Sequence, residues 1–258
     1  MEGIRRSRTL LLVVQVGVAL WFSSNLAVAA DAVQMKVGVD QKMEATLYKP
    51  AGSGPFPGVL VLHASSGLRE PDHLYASQLA DEGYVCLVPD FFKAYDLHQE
   101  IRDRTFTTHA QSIYADFVSA IDTLKKTAGV DRIGAVGFSN GGYWALLLAA
   151  RGDIQAGVSY YGAVNGAGTD NSLSAFRKAF TVNSSPVLVL HGVMDKTVAP
   201  RHVENLKSVL TNAKTPHEFQ MYRSAGHSYN RENSDDEATA DSWQRTLRFF
   251  DATLKKKR

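Results

Sequence analysis

The stretch that decides the fold is IGAVGFSNGGYWALLLAA, residues 133–150. An apolar segment of strand length, 133–138, leads into Ser139, and a helix-like segment follows it. The turn between them has the pattern G-x-S-x-G, in which the small residues Gly137 and Gly141 let two stretches of backbone approach closely. This order predicts that Ser139 stands at the carboxyl end of a strand, beside the N-terminus of a helix.

Apolar runs of strand length alternate with amphipathic stretches of helix length on both sides of this turn. Such alternation is typical of βαβ units and predicts one α/β domain over residues 31–258, with a mostly parallel central sheet and helices on both faces. The clearest predicted helices are Gln111–Lys125 and Ala238–Ala252. The predicted strands are Met35–Val39 and Glu44–Tyr48 as a leading hairpin, then Gly58–Leu62, Val85–Val88, Arg132–Phe138, Ala156–Tyr161, Val187–His191 and His217–Met221.

Residues 1–30 have the order of an export signal. Three arginines precede an uncharged apolar run, Leu10–Phe22, and small residues follow it. The run is shorter than the roughly 20 residues of a membrane-spanning helix, so cleavage after Ala29 or Ala30 is favoured over a retained anchor. We therefore expect a signal peptide over 1–30 and a periplasmic or secreted protein with no stable membrane anchor after cleavage.

Charge and cysteine content argue against a nucleic-acid-binding protein and against one held together by intrachain disulfides. The formal net charge is +2, and it becomes 0 without residues 1–30, which hold three arginines and one glutamate. The remaining positive charge is concentrated at 255–258, KKKR, so nucleic acid is not an expected partner. The single cysteine, Cys86, lies in an apolar stretch and is expected to be a buried small side chain, which leaves no intrachain disulfide.

A serine hydroxyl is a poor nucleophile at neutral pH and needs a histidine base, with an acidic residue that holds the imidazole. When the serine stands on a turn of this kind, the acid and then the histidine follow it in the chain, each on a loop after a late strand. Asp195 follows the strand Val187–His191, and His227 follows the strand His217–Met221. Ser139, Asp195 and His227 are therefore the predicted catalytic residues of an α/β-hydrolase fold.

Two further histidines, His63 and His191, also end predicted strands and would lie near the same edge of the sheet. The chain order argues against either as the base, because His63 precedes the serine and His191 precedes the acid. Either is a candidate for a supporting position behind the catalytic residues. The other histidines have no such context and are predicted to be surface or packing residues: His73, His98, His109, His202 and His217.

Backbone N–H groups are expected to stabilise the negative charge that develops on the reacting carbonyl oxygen. The amide of Asn140 is one candidate, because it opens the helix after Ser139. The second should come from the loop 63–68, HASSGL, where the amide of Ser65 is our first choice and that of Ala64 the next. The hydroxyl groups of this loop are as readily explained by turn hydrogen bonds.

Five segments together resemble the dienelactone hydrolase family: the loop 63–68, the run VPDFF at 88–92, the turn 137–142, Asp195, and the run AGHSYNR at 225–231. The likeness spans most of the chain after residue 30. It implies hydrolysis of a small-molecule lactone or ester, with neither a metal nor another cofactor.

The resemblance also implies a substrate contact. In that family an arginine four residues after the catalytic histidine helps hold the substrate carboxylate, which implies this role for Arg231; a solvent-facing arginine is the alternative. Arg102 and Arg104 are candidate partners. The family's cysteine nucleophile and its oxyanion-loop glutamate are replaced here by Ser139 and Ala64, and the joint change favours a conventional serine esterase mechanism.

The expected function is that of an exported serine hydrolase that cleaves an ester or lactone through an acyl-enzyme. Two alternatives stay open. One is a broad carboxylesterase acting on acetyl or aryl esters, and the other is a binding protein that retains the fold without turnover. The segment 93–108 is a candidate for part of the pocket entrance.

Overall fold

The computed structural model describes residues 31–128, 130, 132–166, 170, 173–231 and 235–255. The predicted signal peptide, 1–30, and most of the basic tail, 256–258, lie outside these residues. The strands are β1 (Asp31–Val37), β2 (Met43–Lys49), β3 (Gly58–Leu62), β4 (Val85–Pro89), β5 (Ile133–Phe138), β6 (Ala156–Tyr160), β7 (Val187–Gly192) and β8 (His217–Tyr222). The helices are α1 (Glu70–Asp81), α2 (Phe91–Ala94), α3 (Ala110–Ala128), α4 (Asn140–Arg151), α5 (Ser174–Ala179), α6 (Pro200–Ala213) and α7 (Asp236–Leu254), with a 3₁₀ helix at Gln99–Thr105.

In the described part of the chain, the eight strands form a single sheet in the order β1-β2-β4-β3-β5-β6-β7-β8. The two pairs that include β2 are antiparallel, and every other neighbouring pair is parallel. The leading hairpin is therefore confirmed, but the predicted end of its first strand at Val39 is wrong. Gly38 has a φ of 95°, which turns the chain out of the strand.

Helices cover both faces of the sheet. On one face α1 and α7 enclose a buried cluster that includes Leu79 and Phe250. On the other face α3, α4 and α6 enclose a second cluster around Phe117, Trp144 and Leu206. The prediction of a mostly parallel sheet with helices on both faces is confirmed. None of the helices within the described residues is both long and apolar enough to cross a membrane.

The apolar stripes predicted for the two long helices pack as expected. The side chains that α3 turns toward the sheet, from Ile113 to Leu124, are at most 1% exposed. On α7, Phe250 is fully buried, while Trp243 and Leu247 are partly buried against the same cluster. Cys86 is also fully buried, and burial raises the pKa of its thiol, so it is a packing residue.

Candidate active site

The turn between β5 and α4 holds Ser139 in an uncommon backbone conformation, with φ 51° and ψ −107°. The glycines two residues before and after it, Gly137 and Gly141, leave no room for a larger side chain. A Cβ on Gly137 would lie 2.0 Å from the carbonyl oxygen of Gly141, and a Cβ on Gly141 would lie 2.1 Å from that of Leu62. The strained residue is thus held by close backbone packing on both sides, at the carboxyl end of a central strand.

The structure brings the three predicted catalytic residues together. His227 Nε2 lies 3.0 Å from Ser139 Oγ, and His227 Nδ1 lies 2.7 Å from Asp195 Oδ2. Because an ionised carboxylate only accepts, Nδ1 carries the proton and Nε2 can accept from the serine hydroxyl. The three side chains come from loops after β5, β7 and β8, so the parallel sheet places them at one edge.

Asp195 is held rigidly in its loop and stays ionised. Its Oδ1 accepts the backbone N–H groups of Thr197 and Val198, each at 2.8 Å. Burial by itself would raise the pKa of this carboxyl, but the hydrogen bond and charge of His227 and the Val198 N–H outweigh it, so the pKa is lowered. The acid can therefore stabilise a positive charge on His227 at neutral pH.

His191 stands behind the acid. Its Nε2 is 3.0 Å from the carbonyl oxygen of Val198 and 3.4 Å from Asp195 Oδ2. The residue is fully buried, and burial lowers the pKa of its imidazole. His191 therefore occupies the kind of supporting position that its place in the sequence suggested.

The two candidate oxyanion donors lie on elements that meet beside Ser139. The Asn140 side chain donates to Thr105 Oγ1 at 2.9 Å, while its backbone N–H belongs to the first turn of α4, where amides lack helical acceptors. In the loop after β3, Gly67 N–H donates to the Ala64 carbonyl at 3.1 Å. This turn hydrogen bond is donated by Gly67, the last residue of the turn, so it does not use the N–H of Ser65.

A cavity of about 770 Å³ opens over Ser139 and His227. The segment 93–108 contributes Gln99 and Arg102 to its wall, which fits the predicted place at the entrance. Of the two arginines considered from sequence, Arg102 lines this cavity and Arg104 is not among the described residues that do. The loop after β3 supplies another part of the wall.

Arg231 also lines the cavity, but it is not solvent-facing. Its guanidinium lies 2.6 Å from Asp72 Oδ1 and 4.0 Å above the ring centre of Phe138. The Arg231 side chain is 9% exposed and that of Asp72 is fully buried. Sequence reasoning missed Asp72, because an acidic residue in the first turn of a helix is already explained by the helix dipole.

An α/β fold with a serine on a strand-to-helix turn, and a histidine and an aspartate on later loops, defines an α/β hydrolase. Within that class the chain belongs to the dienelactone hydrolase family, whose model matches residues 43–254. The family predicted from the sequence is therefore confirmed, and the protein is a hydrolase of the dienelactone hydrolase type.

Individual relatives agree with this assignment. A carboxymethylenebutenolidase from Rhodococcus opacus is 31% identical over 231 residues, covering 79% of this chain and 88% of the relative. A "Probable 2-oxo-3-(5-oxofuran-2-ylidene)propanoate lactonase" from Bradyrhizobium is 26% identical and covers 85% of this chain and 93% of its own length. A crystal structure from Klebsiella pneumoniae, a "Putative Dienelactone Hydrolase", superposes with a TM-score of 0.72 at 25% identity, covering 86% of this chain and 98% of that one.

Proposed function

We propose that the protein hydrolyses a carboxylic ester or lactone with Ser139 as the nucleophile. The observation that carries this proposal is the unbroken series of contacts from Asp195 through His227 to Ser139, at 2.7 and 3.0 Å. As Ser139 Oγ bonds to the substrate carbonyl carbon, its proton passes to His227 Nε2. Asp195 stabilises the imidazolium, and the amides of Asn140 and Ser65 bind the oxyanion.

The second half of the reaction reverses these roles. His227 gives its proton to the leaving alkoxide, which departs as an alcohol or, for a lactone, stays attached as the hydroxyl end of the acyl group. A water molecule then loses a proton to His227 as its oxygen bonds to the acyl carbon. The bond from that carbon to Ser139 Oγ breaks, His227 returns the proton to Ser139 Oγ, and the acid is released. Relatives named as a carboxymethylenebutenolidase and a lactonase support a lactone as one substrate class.

Covalent labelling tests the nucleophile directly. We expect a fluorophosphonate probe to label the wild-type protein and abolish its hydrolysis of p-nitrophenyl acetate. Ser139→Ala should be neither labelled nor active, whereas Ser66→Ala, which removes an exposed hydroxyl from the same cavity wall, should behave as wild type. An unlabelled wild type, or a labelled and active Ser139→Ala, would refute the proposal.

We also propose that the cavity favours substrates that carry a carboxylate, with Arg102 and Arg231 as the residues that attract it. Because Arg231 is already paired with Asp72, a substrate carboxylate would share that arginine. Arg102→Gln and Arg231→Gln should lower kcat/KM for an acidic ester about tenfold more than for a neutral one. Arg104→Gln is the matched control, and equal losses on both esters would reject this selectivity.

The broad carboxylesterase is the second candidate, and a neutral ester preference in the arginine experiment would favour it. A binding protein without turnover is less consistent with the short contacts among the three side chains. Export is a further proposal, supported by the order of residues in 1–30. N-terminal sequencing of the protein from a periplasmic fraction should find a chain that starts at Ala30 or Asp31.

A further inference from the structure

The histidine that follows β3, His63, has no part in the proton transfers proposed above. Its side chain is fully buried, and its Nδ1 lies 2.8 Å from the carbonyl oxygen of Ala64. A carbonyl oxygen only accepts hydrogen bonds, so Nδ1 carries the proton and donates it. The ring and the N–H of Gly67, which donates to the same oxygen at 3.1 Å, therefore hold the Ala64 carbonyl together, and the contact with the ring is the buried one.

The same peptide unit carries the N–H of Ser65. In a trans peptide the C=O and N–H bonds point in opposite directions. Because the oxygen of Ala64 is held against the buried ring of His63, the Ser65 N–H points away from that ring. Ala64, Ser65 and Ser139 line a common cavity. The imidazole thus helps to set the direction of an N–H group that it does not touch.

His63 is itself held on several sides. Its ring stacks on Phe91 with 3.9 Å between ring centres and 13° between planes, and the ring of Phe92 packs edge-on at 5.2 Å. Its backbone oxygen accepts the N–H of Gly141 at 3.1 Å. One residue therefore connects the loop that carries Ser65 to the turn that carries Ser139.

We propose that His63 is a positioning residue that orients the Ser65 amide as an oxyanion donor. This inference rests on the proposed function. The other ring nitrogen, Nε2, faces Asp90 Oδ1 at 3.7 Å, which is longer than a hydrogen bond. The direct contact is therefore made by Nδ1, and a side chain that replaces only Nδ1 should preserve the effect.

Three substitutions separate the two ring nitrogens. In His63→Asn the amide nitrogen takes the place of Nδ1, in His63→Gln it lies nearer the place of Nε2, and His63→Leu has no donor. We expect His63→Asn to retain kcat for p-nitrophenyl acetate within about threefold of wild type. His63→Gln and His63→Leu should lose about 10- to 100-fold in kcat with KM changed less than about threefold, since a donor used in the transition state is misdirected.

A trifluoromethyl ketone inhibitor gives a second measurement, because its tetrahedral adduct places an oxyanion where the substrate does. Its Ki should rise in His63→Gln and His63→Leu by the same factor as kcat/KM falls. His202→Gln removes another buried histidine, on α6, and should leave kcat and Ki at wild-type values. If His63→Leu does not fold, the comparison of Asn with Gln still decides.

Equal losses in His63→Asn and His63→Gln would overturn the positioning role, as would full activity in His63→Gln. A larger loss in Asn than in Gln would also overturn it, because the important contact would then lie on the Asp90 side. A wild-type protein without hydrolase activity would overturn the proposed function together with this inference. Wild-type activity with equal losses in the variants would overturn the inference alone.

Discussion

Among the histidines that face aspartates at this edge of the sheet, His227 and His63 differ in geometry. His227 Nδ1 is 2.7 Å from Asp195, which leaves Nε2 directed at the hydroxyl of Ser139. His63 is 3.7 Å from Asp90, and its closer contact is to a backbone carbonyl. The two histidines differ in what their other ring nitrogen contacts. For His227 it is the hydroxyl of Ser139, which can give up a proton to a base. For His63 it is the carbonyl oxygen of Ala64, which has no proton and only accepts a hydrogen bond, so this ring is suited to a structural role.

The two histidine side chains also differ in their exposure to solvent. The side chain of His227 is 16% exposed, and it lines the cavity. The side chain of His63 is fully buried, and burial lowers the pKa of its imidazole, against the opposing effects of the Ala64 hydrogen bond and of nearby carboxylates. A substrate can therefore meet the first ring but not the second.

Removing the charge of each aspartate is the strongest way to test this comparison. Asp195→Asn should lower kcat for p-nitrophenyl acetate about 10⁴-fold, because the amide no longer stabilises the imidazolium or the required tautomer. Asp90→Asn should lower it less than about tenfold, since Asp90 makes no hydrogen bond with His63 and an asparagine can still cap α2. A loss of about 10⁴-fold in Asp90→Asn as well would contradict this distinction between the two pairs.

The backbone contact of His63 with Gly141 can be disrupted from the other side. A Cβ added in Gly141→Ala would lie 2.1 Å from the oxygen of Leu62 and 2.7 Å from that of His63. We expect a loss of about 3 kcal/mol or more in the free energy of unfolding, measured in urea. Gly226→Ala is the control, since its nearest contact would be Met194 O at 3.9 Å, and its stability should be near that of wild type.

The buried histidines His63 and His191 should make the stability of the protein depend on pH, and this effect is smaller than those of the substitutions above. The pKa values of His63 and His191 are lowered from about 6.5 by burial, so both bind protons more readily in the unfolded chain. Their stabilising effect is present above pH 6.5 and is lost as the pH falls below it, by at most about 1.4 kcal/mol per pH unit for each. Urea unfolding of wild type and His63→Asn between pH 7.5 and 5.5 should give the shallower slope for the variant; equal slopes would contradict this.

The class of fold and the loops that carry the three candidate catalytic residues could be predicted from the sequence, because each depends on local pattern and chain order. Ser139 stands on a recognisable turn, and Asp195 and His227 follow strands that apolar runs reveal. The ion pair of Arg231 with Asp72 could not, because it joins residues 159 positions apart and depends on how α1 packs beside the last loop. Neither residue carries a local signal of its partner.

The role inferred for His63 lies between these cases. Its place after β3 could be read from the sequence, and so could its unsuitability as the base. Which ring nitrogen carries the proton depends on the Ala64 carbonyl and on the stacking of Phe91, and these are properties of the folded loop.

The separation of Ser139 from its base has a consequence during biosynthesis. The two residues are 88 positions apart, and the loop that holds His227 is anchored through Arg231 to the much earlier helix α1. The proposed nucleophile is therefore synthesised well before the proposed base, and Asp72 of α1 is synthesised long before its partner Arg231. On the proposed mechanism, hydrolysis can begin only after His227 has been synthesised and its loop has folded, so a product truncated between the two residues carries the serine without its base.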